Sequence, residues 1–303
     1  MNRPNSPLLG IDWGTSNRRA YLFDAQGKLI RQLDDEFGIL KVAGGFEVSL
    51  KELLRKLDLE RADVLMSGMV GSRNGWQEAP YLSVEQPLSR LGDALMEIPT
   101  TIPGVRCRVV PGYRYVDAHG TPDVMRGEET QVFGALASGA PDGWFLLPGT
   151  HSKWVRVEDG KVRELLTFMT GELFALLSKH GTLANVMKEH ESVPAAFRAG
   201  LEAARGGAFT HMAFCCRALV VTDMMPAEHT ASYLSGLLIG TEIHDIVKRT
   251  GDQMRTPVQI VGSPSLAARY QNALEILGLS SAVWDPDDIY LAALRGLANM
   301  KGN

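Results

Sequence analysis

One strand–turn–strand pattern occurs twice in this chain of 303 residues, and the repetition constrains the fold more than any other feature. Residues 8–21 read as an apolar strand, a turn of small residues and a returning strand. Residues 144–157 repeat that order around a second Gly-Thr turn. Small turn residues expose backbone N–H groups, which can hold phosphate oxygens. Two such hairpins, each opening one half of the chain, predict a phosphate site built from two similar domains.

Asp12 ends the first predicted strand, directly before the turn that contains Gly14, Thr15 and Ser16. A carboxylate at a strand end can bind hydrated Mg²⁺, which needs only one or two oxygens from the protein. For this stretch taken alone, an ordinary hairpin without a ligand is an equal alternative. The second copy of the pattern favours the ligand-binding interpretation.

Length and composition describe a globular protein with room for two domains of about 150 residues. Hydrophobic residues make up 45% of the chain and charged residues 22%. A net charge of −4 argues against nucleic acid as a partner. No apolar run approaches the roughly 20 residues of a membrane span, and the polar start of the chain lacks the apolar core of a signal peptide. We therefore expect a cytoplasmic protein that binds no membrane, with its three cysteines reduced.

Apolar spacing after each hairpin predicts the remaining elements of two α/β domains. Residues 28–33 predict a third strand, 47–57 a helix and 63–67 a fourth strand. The second half begins in the same way, with a third strand at 161–168 and helical patterns such as 231–248. Both halves therefore predict three strands followed by helices and further strands.

Two turns in the second half precede predicted helices. Thr170 stands where an N-cap residue is expected, and capping explains it without any function. Gly262 follows a predicted strand at 257–261 and precedes a helix at 266–277.

Residues 68–81 form a loop after the fourth strand, with three glycines, an arginine and two bulky aromatic residues. Loops at strand ends commonly carry ligand contacts. Arg73 would pair bidentately with a substrate carboxylate, and Trp76 and Tyr81 would form a wall of the pocket. The alternative is a packed irregular loop in which both aromatic rings are anchors.

Two adjacent glutamates, Glu128 and Glu129, stand at the start of an apolar helical pattern. Acidic residues at a helix start are common partners of the helix dipole. Taken alone, the residues need no further explanation than this interaction.

The two hairpins resemble the two phosphate motifs of the actin-like ATPase superfamily, which includes acetate and sugar kinases and the Hsp70 chaperones. The Gly262 turn is similar to its adenosine motif, although the glycine is single rather than doubled. The resemblance implies an α/β protein of two ribonuclease-H-like lobes, residues 1–140 and 141–303, around a central cleft that binds ATP and Mg²⁺. It implies these nucleotide-binding residues: Gly14, Thr15, Ser16, Gly149, Thr150, Ser152, Lys153 and Gly262.

Two more specific strings, Gly-Trp-x-Glu-Ala-Pro-Tyr at 75–81 and Arg-Gly-Glu-Glu-Thr-Gln at 126–131, are similar to the 2-dehydro-3-deoxygalactonokinase family. This resemblance implies transfer of the γ-phosphate of ATP to the 6-hydroxyl of 2-dehydro-3-deoxy-D-galactonate in galactonate catabolism. The partner would be a small sugar acid, held by an implied set of residues: Arg73, Trp76, Tyr81, Arg126 and His151.

The second hairpin departs from the pattern of many sugar kinases, in which an aspartate follows the glycine of the turn as the base. Here Gly149 is followed by threonine and histidine. The Gly-Glu-Glu entry into a helix is similar to one in exopolyphosphatases, where a glutamate lies beside the nucleophile. The resemblance therefore implies Glu128 or Glu129 as the base and Asp12 as the metal ligand.

Other functions remain open on the sequence. An actin-like sensor or assembly protein would use ATP to change shape without phosphorylating a metabolite. A polyphosphate hydrolase would need more basic residues than this acidic chain offers. The gluconate-derived epimer is an alternative substrate. The oligomeric state is not fixed, and a homodimer is one candidate.

Overall fold

The computed structural model describes residues 6–188, 192–251, 254 and 256–299. Its strands are β1 Leu8–Trp13, β2 Arg18–Phe23, β3 Leu29–Asp35, β4 Ala62–Ser67, β5 Leu82–Ser83, β6 Met96–Ile98, β7 Val105–Val109, β8 Tyr113–Val116, β9 Pro122–Met125, β10 Gly143–Leu147, β11 Ser152–Glu158, β12 Lys161–Phe168, β13 Val258–Val261 and β14 Ser281–Trp284. Its helices are α1 Phe46–Lys56, α2 Glu128–Ala137, α3 Thr170–Lys179, α4 Gly181–Ala184, α5 Pro194–Ala203, α6 Phe209–Val221, α7 Thr230–Thr250, α8 Pro264–Ile276 and α9 Pro286–Asn299. None of these described helices combines the length and the apolar character needed to span a membrane.

The chain divides into two compact units. Unit 1 comprises Met1–Asp142, Val157–Leu165 and Pro286–Asn303, and unit 2 comprises Gly143–Arg156 and Leu166–Asp285. Unit 1 therefore contains the last helix, α9, in addition to the N-terminal half of the chain. The division into lobes at residues 140 and 141 stays a prediction.

A six-stranded sheet with the order β3-β2-β1-β4-β7-β6 forms the centre of unit 1. Strand β1 lies antiparallel to β2 and parallel to β4, and this register places Asp12 opposite both Arg19 and Ser67. One face of β1 packs into the core through Leu9, Ile11 and Trp13. The other face meets α9, because an added Cβ on Gly10 would lie 2.2 Å from a methyl carbon of Leu294. Burial on both faces explains why β1 reads as a short apolar run.

Helix α9 packs on α2 within unit 1. Gly134 permits this approach, since an added Cβ would lie 2.1 Å from the carbonyl oxygen of Ile289. The start of α9 is also tied to the sheet, because the Tyr21 hydroxyl donates a hydrogen bond to Asp287 Oδ1 at 2.7 Å. The acidic first turn of α9 therefore lies beside β2, the strand that pairs with the Asp12 strand β1.

A small sheet with the order β5-β8-β9 lies in unit 1, and its strands come between the loop 68–81 and the start of α2 along the chain. These strands have two to four residues each, which is too short for a clear periodic signal. The sequence patterns did not predict them. Strand β9 ends at Met125 and so fixes the position of Arg126 and Gly127, which directly precede α2.

A five-stranded sheet with the order β12-β11-β10-β13-β14 forms the centre of unit 2, although the segment Val157–Leu165 of β11 and β12 is grouped with unit 1. Strand β13 lies parallel to both β10 and β14. Helices α5 and α7 approach each other closely at two glycines. An added Cβ would lie 2.1 Å from Tyr233 O at Gly200 and 2.0 Å from Phe197 O at Gly236.

The two sheets share one strand order along the chain. In each, the first strand is central, the second and third lie on one side, and two parallel strands follow on the other; the sheet of unit 1 adds β6, antiparallel to β7, at its edge. Helices packed on such a sheet make a ribonuclease-H-like lobe, and the chain contains two of them. The predicted α/β class with two ribonuclease-H-like lobes is confirmed.

Candidate active site

Asp12 lies at the carboxyl end of β1, where two glycine turns of unit 1 come close to it. An added Cβ on Gly68 would lie 3.2 Å from Asp12 Oδ1, and the φ of +87° at Gly68 also favours glycine. Gly127 has a φ of +106°, and an added Cβ there would lie 3.2 Å from the Cα of Gly68. The two glycines thus allow the loop 68–81 and the start of α2 to lie close to Asp12 at the carboxyl end of β1.

The surroundings of Asp12 are acidic. Burial raises the pKa of Asp12 to about 6; Arg19 opposes this rise, and Glu128 and Asp287 add to it. Among the described residues, no three His, Cys, Asp or Glu side chains form a ready cage for a metal ion. Hydrated Mg²⁺ needs only one or two carboxylates, and oxygen is the ligand it prefers. The carboxylates around Asp12 therefore fit Mg²⁺ by donor type and by charge.

Glu128 and Glu129 begin α2 in different environments. Glu129 is fully buried and accepts a hydrogen bond from the Gly127 N–H at 2.8 Å. Burial, together with the charge of Glu128, raises the pKa of Glu129 to about 8, so its carboxyl group is mostly protonated at pH 7. Glu128 is half-buried, and its Oε2 accepts a hydrogen bond from the Arg126 N–H at 2.9 Å. Of the two, it is Glu128 whose charge acts on Asp12.

The first predicted phosphate turn contains Gly14, Thr15 and Ser16. Residues 38–40 donate backbone N–H groups to the carbonyl oxygens of these three residues, at 3.0 to 3.2 Å. Gly38 is required there, because an added Cβ would lie 2.3 Å from the Ser16 carbonyl carbon. The Thr15 and Ser16 side chains are exposed. The turn is thus held by backbone hydrogen bonds and open to solvent, as an anion-binding turn must be. Its role in phosphate binding stays a prediction.

The loop 68–81 is anchored by Trp76. The Trp76 ring stacks on Phe46 with centroids 6.1 Å apart and 12° between the ring planes, and it packs against the core of unit 1. This packing corresponds to the anchor interpretation of that residue. Arg73 is exposed, and Tyr81 keeps 40% of its surface exposed. Their predicted contacts with a substrate stay predictions.

Arg126 is buried, with 8% of its surface exposed, and it lies beneath the ring of Tyr81. Its guanidinium carbon is 4.3 Å from the ring centroid, and its Nη2 donates to the Ala79 carbonyl oxygen at 2.8 Å. Within the part of the chain that the structure describes, its Nε and Nη1 have no hydrogen-bond partner. Buried donors are normally paired, so this guanidinium is a candidate for binding an anion.

The second predicted phosphate turn packs against the start of α3 in unit 2. An added Cβ on Gly171 would lie 2.3 Å from the Gly149 carbonyl oxygen, and the Glu172 N–H donates to Thr150 O at 2.9 Å. His151 Nε2 lies 2.6 Å from Glu172 Oε2. The turn and the helix start therefore form one packed substructure.

Two of the predicted phosphate ligands, Ser152 and Lys153, have side chains that contact the interior of unit 2. The Ser152 hydroxyl is fully buried, 2.8 Å from the Tyr270 hydroxyl. Lys153 is buried as well, and its Nζ donates to the Thr167 hydroxyl at 2.8 Å. The backbone of the turn is better placed than these two side chains to meet a ligand. Their contact with phosphate stays a prediction.

Gly262 lies next to the second turn. An added Cβ on Gly262 would lie 2.9 Å from a ring carbon of Pro148, so the start of α8 adjoins the turn at 149–152. A cavity of about 70 Å³ lies in the same region of unit 2. Its lining comes from the turn, the start of α3, α7 and α8, and includes Gly149, Leu238, Leu266 and Arg269.

The prediction of Thr170 as an N-cap is wrong. Met169 occupies the N-cap position, with no side-chain cap bond, and Thr170 is the first helical residue. The Thr170 hydroxyl donates instead to Glu242, in the middle of α7. Sequence reasoning also missed Asp287, because only the tertiary packing of α9 brings it to the site.

The fold and the sites define a class of protein. Two ribonuclease-H-like lobes, one with an acidic cluster at the end of its first strand and each with a turn of small residues, are features of actin-like ATPases and sugar kinases.

Comparison with known proteins narrows this class. The family model described as 2-keto-3-deoxy-galactonokinase matches residues 12–299. The Escherichia coli (strain K12) protein named 2-dehydro-3-deoxygalactonokinase is 35% identical over 299 residues, covering 97% of this chain and 98% of that protein. "Probable 2-dehydro-3-deoxygalactonokinase DgoK1" of Rhizobium meliloti (strain 1021) is 33% identical over 296 residues, covering 95% of each. A crystal structure from Sinorhizobium meliloti, described as a candidate 2-dehydro-3-deoxygalactonokinase, matches with a TM-score of 0.88 at 32% identity over 97% of both chains. The chain belongs to the 2-keto-3-deoxy-galactonokinase family.

Proposed function

We propose that this chain is an ATP-dependent sugar-acid kinase that transfers the γ-phosphoryl group of ATP to the 6-hydroxyl of 2-dehydro-3-deoxy-D-galactonate. Family membership supports the reaction. The observation that carries the proposal is the grouping of Asp12, Glu128 and Arg126 at one sheet edge of unit 1. A metal ligand, a base and an anion-binding cation are the groups that phosphoryl transfer to a sugar acid needs from the protein. The proposed enzyme uses cytoplasmic ATP and is therefore a cytoplasmic protein.

Asp12 would hold Mg²⁺ that enters with ATP. Its carboxylate lies among other acidic groups, so a cation relieves their mutual repulsion there. The ion, when bound, neutralises charge on the phosphate oxygens. Gly68 adjoins the Asp12 carboxylate without adding a side chain there, and Gly127 in turn packs on Gly68. The turn of Gly14 to Ser16 would contribute backbone N–H groups to the phosphates.

Glu128, rather than Glu129, would take the proton from the substrate hydroxyl. A general base must be ionised and must reach the proton that it accepts. Glu129 is fully buried, and a pKa of about 8 keeps it mostly protonated at pH 7. Glu128 is half-buried and lies close enough to Asp12 to act on its pKa. These differences support Glu128 as the base in this proposal.

Unit 2 would bind the nucleotide through the turn at 149–152. This turn adjoins the N-terminus of α3, where the helix dipole favours negative charge. The neighbouring cavity of about 70 Å³, lined in part by Leu238 and Leu266, is smaller than a ligand pocket and would take only part of an adenosine group. The turn beside the helix N-terminus is the feature that supports ATP as the phosphate donor.

Arg126 would pair with the carboxylate of the sugar acid. Its Nε and Nη1 have no hydrogen-bond partner among the described residues, and a carboxylate oxygen would accept a charge-assisted hydrogen bond from one of them. The exposed ring of Tyr81 covers the guanidinium and could turn aside to admit the substrate. Trp76 would hold the loop in place, and the exposed Arg73 is the alternative cation.

A screen of phosphoryl acceptors tests the proposal. The protein with Mg²⁺ and ATP is offered 2-dehydro-3-deoxy-D-galactonate, its gluconate-derived epimer, or no acceptor, and ADP release is followed in a coupled assay. We expect ADP release that depends on the galactonate-derived acid and a product phosphorylated at the 6-hydroxyl. Preference for the epimer would change the substrate assignment. ADP release that is the same with and without acceptor would support the sensor alternative, which family membership does not favour.

A further inference from the structure

Glu242 is a buried carboxylate in the middle of α7, and no prediction from the sequence includes it. Its Oε1 accepts a hydrogen bond from Trp154 Nε1 at 2.6 Å. Its Oε2 accepts hydrogen bonds from the Tyr270 hydroxyl at 2.9 Å and from the Thr170 hydroxyl. One carboxylate of unit 2 therefore binds side chains from β11, α3 and α8 at the same time.

All three partners belong to elements that border the turn at 149–152. Trp154 follows the turn by two residues on β11, and Thr170 begins the helix whose next residue packs on the turn. Tyr270 adds a second link, because its hydroxyl lies 2.8 Å from that of Ser152, the last residue of the turn. Glu242 thus connects the end of the turn with the helix start against which the turn packs.

Burying the Glu242 carboxylate lowers the stability of the folded protein. Burial raises the pKa of Glu242 to about 7, and hydrogen bonds from Thr170, Trp154, Tyr270 and Ser152 oppose that rise. A well-packed apolar residue often stabilises a core at least as well as a buried charged group. What the carboxylate adds is geometry, since it holds several donors in one fixed arrangement.

We propose that Glu242 is a positioning residue for the nucleotide: it fixes the turn at 149–152 and the first turn of α3 in the arrangement that holds the phosphates. This inference rests on the proposed use of ATP. The competing account is that Glu242 only stabilises the core of unit 2. If Glu242 positions the turn, a variant of unchanged stability should bind the nucleotide more weakly. If Glu242 only stabilises the core, such a variant should bind the nucleotide as the wild-type protein does.

Glu242→Gln separates the two accounts with little change in shape. The Trp154 N–H can only donate, so it keeps the amide oxygen as its acceptor. The amide nitrogen then faces the hydroxyls of Thr170 and Tyr270, which lose their acceptor. Tyr270 can still donate to Ser152, whereas the tie between Thr170 and α7 is weakened. Thr170→Val removes that tie alone.

Thr250→Val is the matched control. Thr250 is buried on the same helix, and the partners of its hydroxyl among the described residues are carbonyl oxygens of α7 itself, at Ile246 and Val247. Its removal therefore changes α7 without acting on the turn.

The experiment measures ADP affinity by calorimetry, amide hydrogen exchange of residues 147–154 and 169–174, and KM for both substrates. We expect Glu242→Gln to weaken ADP binding about tenfold, as the loss of a charged buried hydrogen bond would. The KM for ATP should rise while the KM for the sugar acid stays constant, and exchange should accelerate in both segments. Thr170→Val should show the same pattern, and Thr250→Val should leave all of these values unchanged.

Unchanged ADP affinity and unchanged exchange in folded Glu242→Gln protein would overturn the inference. So would equal effects in Thr250→Val, because they would indicate a general loss of stability. A wild-type protein that phosphorylates no sugar acid would instead refute the proposed function. Nucleotide binding and hydrogen exchange would still decide the role of Glu242 in that case.

Discussion

At the scale of single residues, burial separates two glutamates that are neighbours in the chain. Glu129 is enclosed and accepts the Gly127 N–H, so its carboxyl group is part of the structure at the start of α2. Glu128 is half-buried and acts electrostatically on Asp12. Identical side chains one position apart therefore have different chemical capacities.

Exchanging each glutamate for glutamine tests this distinction. We expect Glu128→Gln to lower kcat by about 10²- to 10⁴-fold, the usual range for loss of a general base, without unfolding the protein. Glu129→Gln should keep most of the activity, because glutamine is neutral like the protonated acid and can still accept the Gly127 N–H. Steady-state kinetics with the sugar acid and a circular dichroism spectrum of each variant provide the measurement. The opposite order of activity loss would identify Glu129 as the base.

Arg126 and Arg73 make a second residue-scale pair. Arg126 has unpaired donors within the described structure, whereas Arg73 is exposed on the loop. We expect Arg126→Met to raise the KM for the sugar acid by about 10- to 100-fold, the value of one or two charged hydrogen bonds, with the KM for ATP unchanged. Arg73→Met should change either KM by less than about threefold. A loss confined to the Arg73 variant would move the carboxylate contact to that residue.

At the scale of elements, α3 and the turn at 149–152 make a close backbone contact in the proposed nucleotide site. An added Cβ on Gly171 would lie 2.3 Å from the Gly149 carbonyl oxygen and 2.9 Å from the Thr150 Cα. Such a carbon cannot be accommodated unless the helix or the turn moves. The geometry of the turn is therefore sensitive to a single methyl group on α3.

Gly171→Ala should consequently weaken ADP binding by at least about tenfold, since the turn must shift away from the helix start. Gly206→Ala is the control, because an added Cβ there would meet only the flexible end of Met212, at 3.7 Å. Calorimetry with ADP and thermal melting of both variants provide the comparison. Equal ADP affinity in a folded Gly171→Ala protein would show that the turn is not part of the nucleotide site.

Elements with a strong local signal could be predicted from the sequence, and those that depend on distant partners could not. The strand β1 was predicted because burial on both faces leaves an apolar run. Glu242 lies in an ordinary helical pattern, and its partners are 28, 72 and 88 residues away. Thr170 matched the local pattern of a cap, but a tertiary hydrogen bond to Glu242 competes for its hydroxyl. The motif at 126–131 located the helix start without distinguishing its two glutamates.

At the scale of the whole molecule, three carboxyl groups with raised pKa values make stability depend on pH. Their pKa values in the folded state are raised to about 6 for Asp12, about 7 for Glu242 and about 8 for Glu129. A raised value means that the folded protein binds protons more tightly than the unfolded chain does. The stabilisation is complete below the unfolded values near 4 and is lost as the pH rises through the folded values.

We therefore expect the Tm of the protein without Mg²⁺ or nucleotide to fall between pH 5.5 and pH 8.5, by on the order of 5 °C or more. The Tm of the Glu129→Gln variant should fall less steeply over this interval, because the glutamine side chain does not titrate. Glu36 is exposed, so the Tm of the Glu36→Gln variant should fall with pH as steeply as the Tm of the wild-type protein. Thermal melts at constant ionic strength provide the measurement. A wild-type Tm that rises with pH would contradict the three raised values.

The placement of α9 has a consequence for synthesis on the ribosome. The helix packs on α2 at Gly134, and its Leu294 covers β1 at Gly10, so the first unit of the chain contains segments from both of its ends. A nascent polypeptide cannot complete that unit while α9 is still inside the exit tunnel. The amino-terminal half must therefore wait until α9 has emerged, and the segments between them can fold first.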